Sequence, residues 1–113
     1  MNSSSWIGID LDGTLAEYNG WEGPEHIGIP IPSMVKILKL LIEKGYNVKI
    51  FTARAYVSTN IPIVKKWLSD NLLPDLEITN IKDFNMILLI DDRCIQVEKN
   101  TGRLIGNEIL NFI

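Results

Sequence analysis

The sequence IGIDLDGTLAE (residues 7–17) decides the fold that we expect, because a short apolar run delivers two aspartates into a glycine turn. The run from Trp6 to Ile9 is typical of a buried parallel strand. Asp10 and Asp12 then lie at the carboxyl edge of a sheet, where open α/β sheets bind ligands. Alternate residues of an extended segment point the same way, so we expect both carboxylates to face one site. Two crowded carboxylates repel each other, which implies a metal ion or a shared proton.

A second aspartate pair strengthens this interpretation. Taken alone, Asp-x-Asp-Gly is also typical of an ordinary turn, since Asp and Gly are common turn residues. Asp91 and Asp92, however, follow another apolar run, Met86–Ile90. Two aspartate pairs that each follow an apolar run indicate a site built at strand ends.

The composition predicts one ordinary globular domain, residues 1–113. The chain has 113 residues, of which 46% are hydrophobic and 22% are charged, which is enough for a single core. A net charge of −3 gives no support to broad electrostatic binding of nucleic acid. The single cysteine, Cys94, cannot form an intrachain disulfide, and we expect it in the core. The sequence shows no leader pattern and no apolar stretch of membrane-spanning length, so we expect a cytoplasmic protein without membrane contact.

A long loop follows the first aspartate pair. Residues 16–32 carry repeated glycines and prolines, which predict an irregular loop or a short hairpin. A loop of this length in a compact domain is usually functional, and this one begins at the edge that carries Asp10 and Asp12. We interpret it as a flap over the site. Trp21 and His26 are its best candidates for contact with a substrate, although a loop aromatic also serves to anchor a loop.

The rest of the chain alternates between helical and extended patterns. We expect a helix capped by Ser33 and ending near Lys44, a strand at Asn47–Thr52, a helix from Ser58, Thr59 or Asn60 to about Asn71, strands at Leu76–Thr79 and Met86–Ile90, a hairpin within residues 94–106, and a short helix over residues 107–113. This order predicts a three-layer α/β/α, Rossmann-like sandwich with a central, mainly parallel sheet, a short flap and no cap domain.

Side chains suited to phosphoryl transfer come together if the strand Met86–Ile90 lies beside the first strand. The candidates at that edge are Asp10, Asp12, Thr52, Lys82, Asp91 and Asp92. Phosphoryl transfer requires positioned groups, a metal ion and cations around the phosphoryl oxygens. Carboxylates suit Mg²⁺, and a carboxylate can also attack phosphorus. We further expect Thr52 and Arg54 to bind phosphoryl oxygens, and Lys82 to supply a positive charge. Gly13 permits the sharp turn after Asp12 and Thr14 adds a hydroxyl, and both join the predicted substrate site.

Four short segments together resemble the haloacid dehalogenase (HAD) superfamily of aspartate-nucleophile phosphatases. They are IDLDGTLAE (residues 9–17), IFTAR (50–54), NIKD (80–83) and LIDDR (89–93). The resemblance to the first segment implies that Asp10 is the nucleophile and that Asp12 is the acid/base, with its backbone carbonyl on magnesium. The other segments imply that Thr52, helped by the Ala53 amide, and Lys82 bind phosphate. They also imply that Asp92 is a direct magnesium ligand and that Asp91 lies near Lys82.

The expected function is that of a Mg²⁺-dependent phosphohydrolase that acts on an exposed phosphate monoester through an aspartyl-phosphate. The chain is also similar to small capless bacterial and phage members of this superfamily and to the phosphatase half of polynucleotide kinase phosphatases. A site without a cap suits a nucleotide, a nucleic-acid end or a phosphoprotein. Two alternatives use the same residues: a phosphotransferase, and a phosphate- or metal-binding module without catalysis.

Overall fold

The computed structural model describes residues 4–106, and its centre is a sheet of four parallel strands. The strands are β1 (Trp6–Ile9), β2 (Val48–Phe51), β3 (Ile78–Thr79) and β4 (Met86–Ile90), in the spatial order β3-β2-β1-β4. Ile9 of β1 is in register with Ile50 on one side and with Ile90 on the other. The expected position of the last apolar run beside the first strand is therefore confirmed.

Two helices cover the same face of this sheet. Helix α1 (Pro32–Glu43) follows β1, and α2 (Ile61–Asp70) follows β2 after two short 3₁₀-helices, Ala53–Tyr56 and Ser58–Asn60. Both helices contribute to one hydrophobic core with the inward side chains of β1 and β2. Its central members are Ile9, Leu11, Leu15, Leu38, Ile50, Val64, Trp67 and Leu68.

The opposite face of the sheet carries a smaller group around Trp6. The Trp6 ring lies 6.4 Å from that of Phe51, and the Lys49 ammonium lies 4.6 Å from the Trp6 ring centroid. Residues 4–106 thus form an α/β domain with a parallel sheet, compatible with a Rossmann-like fold. A third layer and the lack of a cap remain predictions.

The start of α1 differs from the expected one. The helix begins at Pro32, its N-cap is Ile31, and no side chain caps it, so the prediction of a Ser33 cap was wrong. Proline has no N–H and its fixed φ angle suits a first turn, so Pro32 starts the helix without a capping hydroxyl. At the other end, Gly45 takes a φ of +90°, as expected of a glycine that ends a helix.

β4 is an edge strand, although its sequence is wholly apolar. Among the described residues it pairs only with β1, and Ile87 and Leu88 are 47% and 50% exposed. Cys94 is exposed as well, so its predicted place in the core was wrong. The chain turns away from the sheet after Asp91, and the Cys94 thiol donates to the Asp91 carbonyl oxygen at 3.3 Å.

A hairpin ends the described part of the chain, as predicted. Strands β5 (Gln96–Val97) and β6 (Leu104–Ile105) pair antiparallel within residues 94–106. The helix expected over residues 107–113 lies outside the described residues. None of the helices within residues 4–106 combines the length and the apolar character that a membrane crossing requires.

Two leucines of α1 provide a test of the core. Leu38 is fully buried, whereas Leu40 is 49% exposed. Leu38→Ala should lower the free energy of unfolding by about 2–5 kcal/mol, because it removes buried methyl groups and leaves a cavity. Leu40→Ala is the matched control and should cost less than about 1 kcal/mol. Urea denaturation measures both, and equal losses would contradict the burial of Leu38 between α1 and the sheet.

Candidate functional site

Three carboxylates meet where β1 and β4 end. Asp10 follows β1, Asp91 and Asp92 follow β4, and the Asp10 amide continues the ladder by donating to the Ile90 carbonyl at 2.9 Å. One carboxylate oxygen from each of the three residues lies within 4.8 Å of the other two. The structure therefore brings together these three of the predicted metal ligands.

The turn after β1 lies against this acidic cluster. The Thr14 hydroxyl lies 3.2 Å from Asp10 Oδ2 and 3.1 Å from Asp92 Oδ1, and it accepts the Asp92 amide at 3.0 Å. Gly13 has a φ of +89°, and a Cβ atom there would lie 2.6 Å from Asp92 Oδ2. A residue with a side chain would therefore disturb Asp92 and strain the backbone. Thr14 contacts the carboxylates and Gly13 leaves room for Asp92, and the contact of either residue with a substrate stays a prediction.

The pKa of Asp10 is strongly raised. Its pKa rises from the ordinary value of 3.8 to about 7, first because of burial, then through a hydrogen bond with Asp92 and the charges of Asp91 and Asp92. Repulsion of this kind is relieved when a cation lies between the carboxylates. A set of three carboxylates without nitrogen or sulfur ligands fits a hard divalent cation such as Mg²⁺. The side-chain oxygens of Asp12 are not part of this cluster.

Asp12 is instead paired with Arg54. Arg54 Nε donates to Asp12 Oδ2 at 2.7 Å, and Nη2 donates to Asp12 Oδ1 at 3.0 Å. The remaining hydrogen bonds of the guanidinium go to the backbone carbonyls of Pro24 and His26, at 3.0 and 2.9 Å. Arg54, expected to bind phosphate, is thus bound to Asp12 and the flap. Sequence reasoning missed this pair; the only signal was an arginine and an aspartate at neighbouring strand ends.

Thr52 and Ala53 lie where they were expected, at the end of β2. Thr52 is 2% exposed, its amide donates to the Thr79 carbonyl at 2.9 Å, and its hydroxyl accepts the Arg54 amide at 3.2 Å. Both residues line the open cleft beside the acidic cluster. Lys82 is exposed, and Asn80 rather than Lys82 contributes to the lining of that cleft. The contact of Lys82 with phosphate stays a prediction.

The cleft above the carboxylates is wide and partly aromatic. Its volume is about 1250 Å³, and Tyr18, Trp21 and Tyr56 line it together with Arg93. Trp21 is 58% exposed, and the Arg54 guanidinium lies 4.8 Å from its ring centroid. Asp12 and flap residues together line a second cavity of about 290 Å³. His26 lines this smaller cavity, and its Nε2 lies 3.0 Å from Glu22 Oε2.

The raised pKa of Asp10 predicts how stability depends on pH in the absence of divalent cations. At pH values between 3.8 and about 7, Asp10 of the folded protein binds a proton that the unfolded chain has lost. The free energy of unfolding therefore contains a stabilising contribution that is lost as pH rises through this window. Asp10→Asn removes the contribution, so its stability should fall less with pH. Urea denaturation at several pH values, in chelator, measures the difference; parallel curves would contradict the raised pKa.

The acidic cluster predicts divalent-cation binding. Asp92→Ala should weaken Mg²⁺ binding at least about ten-fold, since it removes one of three converging carboxylates. Asp75→Ala is a suitable control, because Asp75 is exposed and pairs with Lys65 at 2.7 Å. Titration calorimetry with Mg²⁺ measures both variants. Wild-type affinity in Asp92→Ala would exclude Asp92 as a ligand.

Comparison with known proteins supports the fold alone. No family model and no curated protein matches this chain. Among solved structures, a conserved protein coded by a locus of Bacteroides thetaiotaomicron matches with a TM-score of 0.60 and 23% identity, over 94% of this chain and 84% of that one. The match indicates a shared fold.

Proposed function

We propose that this protein is a magnesium-dependent phosphohydrolase of the haloacid dehalogenase type, which cleaves an exposed phosphate monoester through an aspartyl-phosphate. The observation that carries the proposal is the acidic cluster of Asp10, Asp91 and Asp92, whose oxygens lie within 4.8 Å of one another beside Thr52 in an open cleft. Phosphoryl transfer needs such a set of positioned charges more than it needs elaborate covalent chemistry.

Each residue has a role that follows from its chemistry. The Asp10 carboxylate attacks phosphorus in line and displaces the leaving oxygen, and Asp12 protonates that oxygen and later activates water. The Thr52 hydroxyl and the Ala53 amide bind phosphoryl oxygens. Mg²⁺ on the carboxylates of Asp10, Asp91 and Asp92 would neutralise phosphoryl charge and favour ionised Asp10.

The shape of the cleft supports a phosphate on a bulky carrier. A volume of about 1250 Å³ exceeds the roughly 300–1,000 Å³ of a typical small-molecule site. Trp21 and Tyr56 are 58% and 85% exposed at its border, and exposed aromatic rings bind flat groups well. We therefore propose that the carrier of the phosphate extends beyond the acidic cluster and contacts these rings.

Replacing the nucleophile tests the proposed reaction. Asp10→Asn keeps the shape of the side chain but cannot attack phosphorus, so kcat on phosphate monoesters should fall about 10⁴-fold or more. Asp75→Asn should leave kcat unchanged. A colorimetric assay for released phosphate measures the effect, and beryllium fluoride, a mimic of the phosphoryl group, should add to Asp10 in the wild type only. Full activity in Asp10→Asn would exclude the aspartyl-phosphate.

A further inference from the structure

We propose that Arg54 is a positioning residue that holds the Asp12 carboxylate and the flap (residues 16–32) in one common arrangement, so that Asp12 is correctly oriented only while the flap is in place. The role of Asp12 in this statement rests on the proposed function. The link between Asp12 and the flap rests on contacts alone and can be tested in a protein without any activity.

Arg54 is a buried cation that Asp12 neutralises. The Arg54 side chain is 4% exposed and that of Asp12 is 20% exposed. Two N–H groups of one guanidinium edge meet the two carboxylate oxygens at 2.7 and 3.0 Å, which is the fork geometry that fixes a carboxylate in direction as well as in position. Rotation of Asp12 would break both hydrogen bonds at once.

The same guanidinium also holds the flap. It donates to the carbonyl oxygens of Pro24 and His26 at 3.0 and 2.9 Å, and it lies 4.8 Å from the centroid of the Trp21 ring. Asp12 and the flap together accept from four of the five N–H groups that an arginine carries. Arg54 therefore has no more than one N–H group for a phosphate, which favours a positioning role over phosphate binding.

The backbone of Arg54 is itself fixed next to the predicted phosphate-binding residue. Its amide donates to the Thr52 hydroxyl at 3.2 Å, and its carbonyl accepts from Asn60 Nδ2 at 3.2 Å. The backbone and side-chain contacts of this one residue thus connect three parts of the site: the end of β2, Asp12 and the flap.

Burial makes these contacts interdependent. Departure of the flap would remove two acceptors and an aromatic face from a buried cation, and departure of Asp12 would leave its charge uncompensated, which is strongly unfavourable. Since a coupling free energy is reciprocal, a change that releases Asp12 must loosen the flap, and a change that releases the flap must loosen Asp12.

Amide hydrogen exchange tests the coupling directly. Arg54→Lys keeps the charge but lacks the fork, and Asp12→Asn removes the opposite charge while it keeps the shape of the side chain. Both variants should exchange the hydrogen-bonded flap amides of Glu17, His26 and Ile31 on the order of ten-fold faster than the wild type, since exchange of a hydrogen-bonded amide reports the free energy of local opening. The control is Arg103→Lys, which alters another arginine–carboxylate pair, Arg103 with Glu98 in the exposed hairpin, and should leave flap exchange unchanged.

The leaving group of the substrate tests the effect on Asp12. An alkyl phosphate needs a proton on its departing oxygen, whereas p-nitrophenyl phosphate needs little assistance. Arg54→Lys should therefore lower kcat/KM, which reports formation of the aspartyl-phosphate, about 100-fold on the alkyl ester, the order expected for a misplaced general acid, and much less on the aryl ester. A phosphate ligand would act differently: its loss would reduce kcat/KM on both esters equally and weaken inhibition by inorganic phosphate.

The outcomes separate the two proposals. Unchanged flap exchange in both Arg54→Lys and Asp12→Asn would overturn the coupling, as would equal losses on the two esters with weakened phosphate inhibition. If the wild type hydrolyses neither ester, the proposed function fails and the exchange data alone decide the coupling. If Arg54→Lys does not fold, Asp12→Asn decides it, because flap exchange at the wild-type rate in that variant also overturns it.

Discussion

Parallel pairing of β1 between β2 and β4 is the constraint on which the site depends. Parallel strands end at the same edge of a sheet, so strand pairing by itself places the residues that follow them close together. Asp10 follows the central strand, Thr52 follows β2, and Asp91 begins the turn after β4. The register that matches Ile9 with both Ile50 and Ile90 aligns Asp10, Thr52 and Asp91 along the strand direction.

The two aspartates of the first pair occupy different electrostatic surroundings, although only Leu11 separates them. Asp10 lies among carboxylates, and its pKa is raised to about 7, whereas Asp12 faces the guanidinium of Arg54 at 2.7 Å. In the proposed reaction Asp10 attacks phosphorus in its ionised form, which a bound cation would favour, and the Arg54 guanidinium fixes the direction of the Asp12 carboxylate for proton transfer.

The flap is attached to the body at several points, and these leave one side of the site open. At its base, the Ile31 amide donates to the Leu15 carbonyl at 2.7 Å, and within the flap the Glu17 amide donates to the Ile29 carbonyl at 2.9 Å. Trp67 of α2 donates from Nε1 to the Gly28 carbonyl at 2.9 Å. The Arg54 guanidinium binds the middle of the flap through the carbonyl oxygens of Pro24 and His26. A loop tied at its base and middle borders the wide cleft instead of enclosing it, which agrees with the proposal of a phosphate on a large carrier.

The sequence by itself determined the elements of this α/β domain and the edge at which Asp10, Asp12, Thr52, Asp91 and Asp92 follow strands. Hydrophobic runs and turn residues are local signals that predict the strands and their ends. Parallel pairing then places the residues that follow the strands at one edge of the sheet. The tertiary structure alone decided the rest. Cys94 and the β4 side chains of Ile87 and Leu88 are exposed because exposure depends on what other segments cover. Arg54 binds Asp12 and the flap rather than standing free in the cleft, because contacts between residues 42 positions apart in the chain depend on how the loops are packed, and no local pattern encodes that packing.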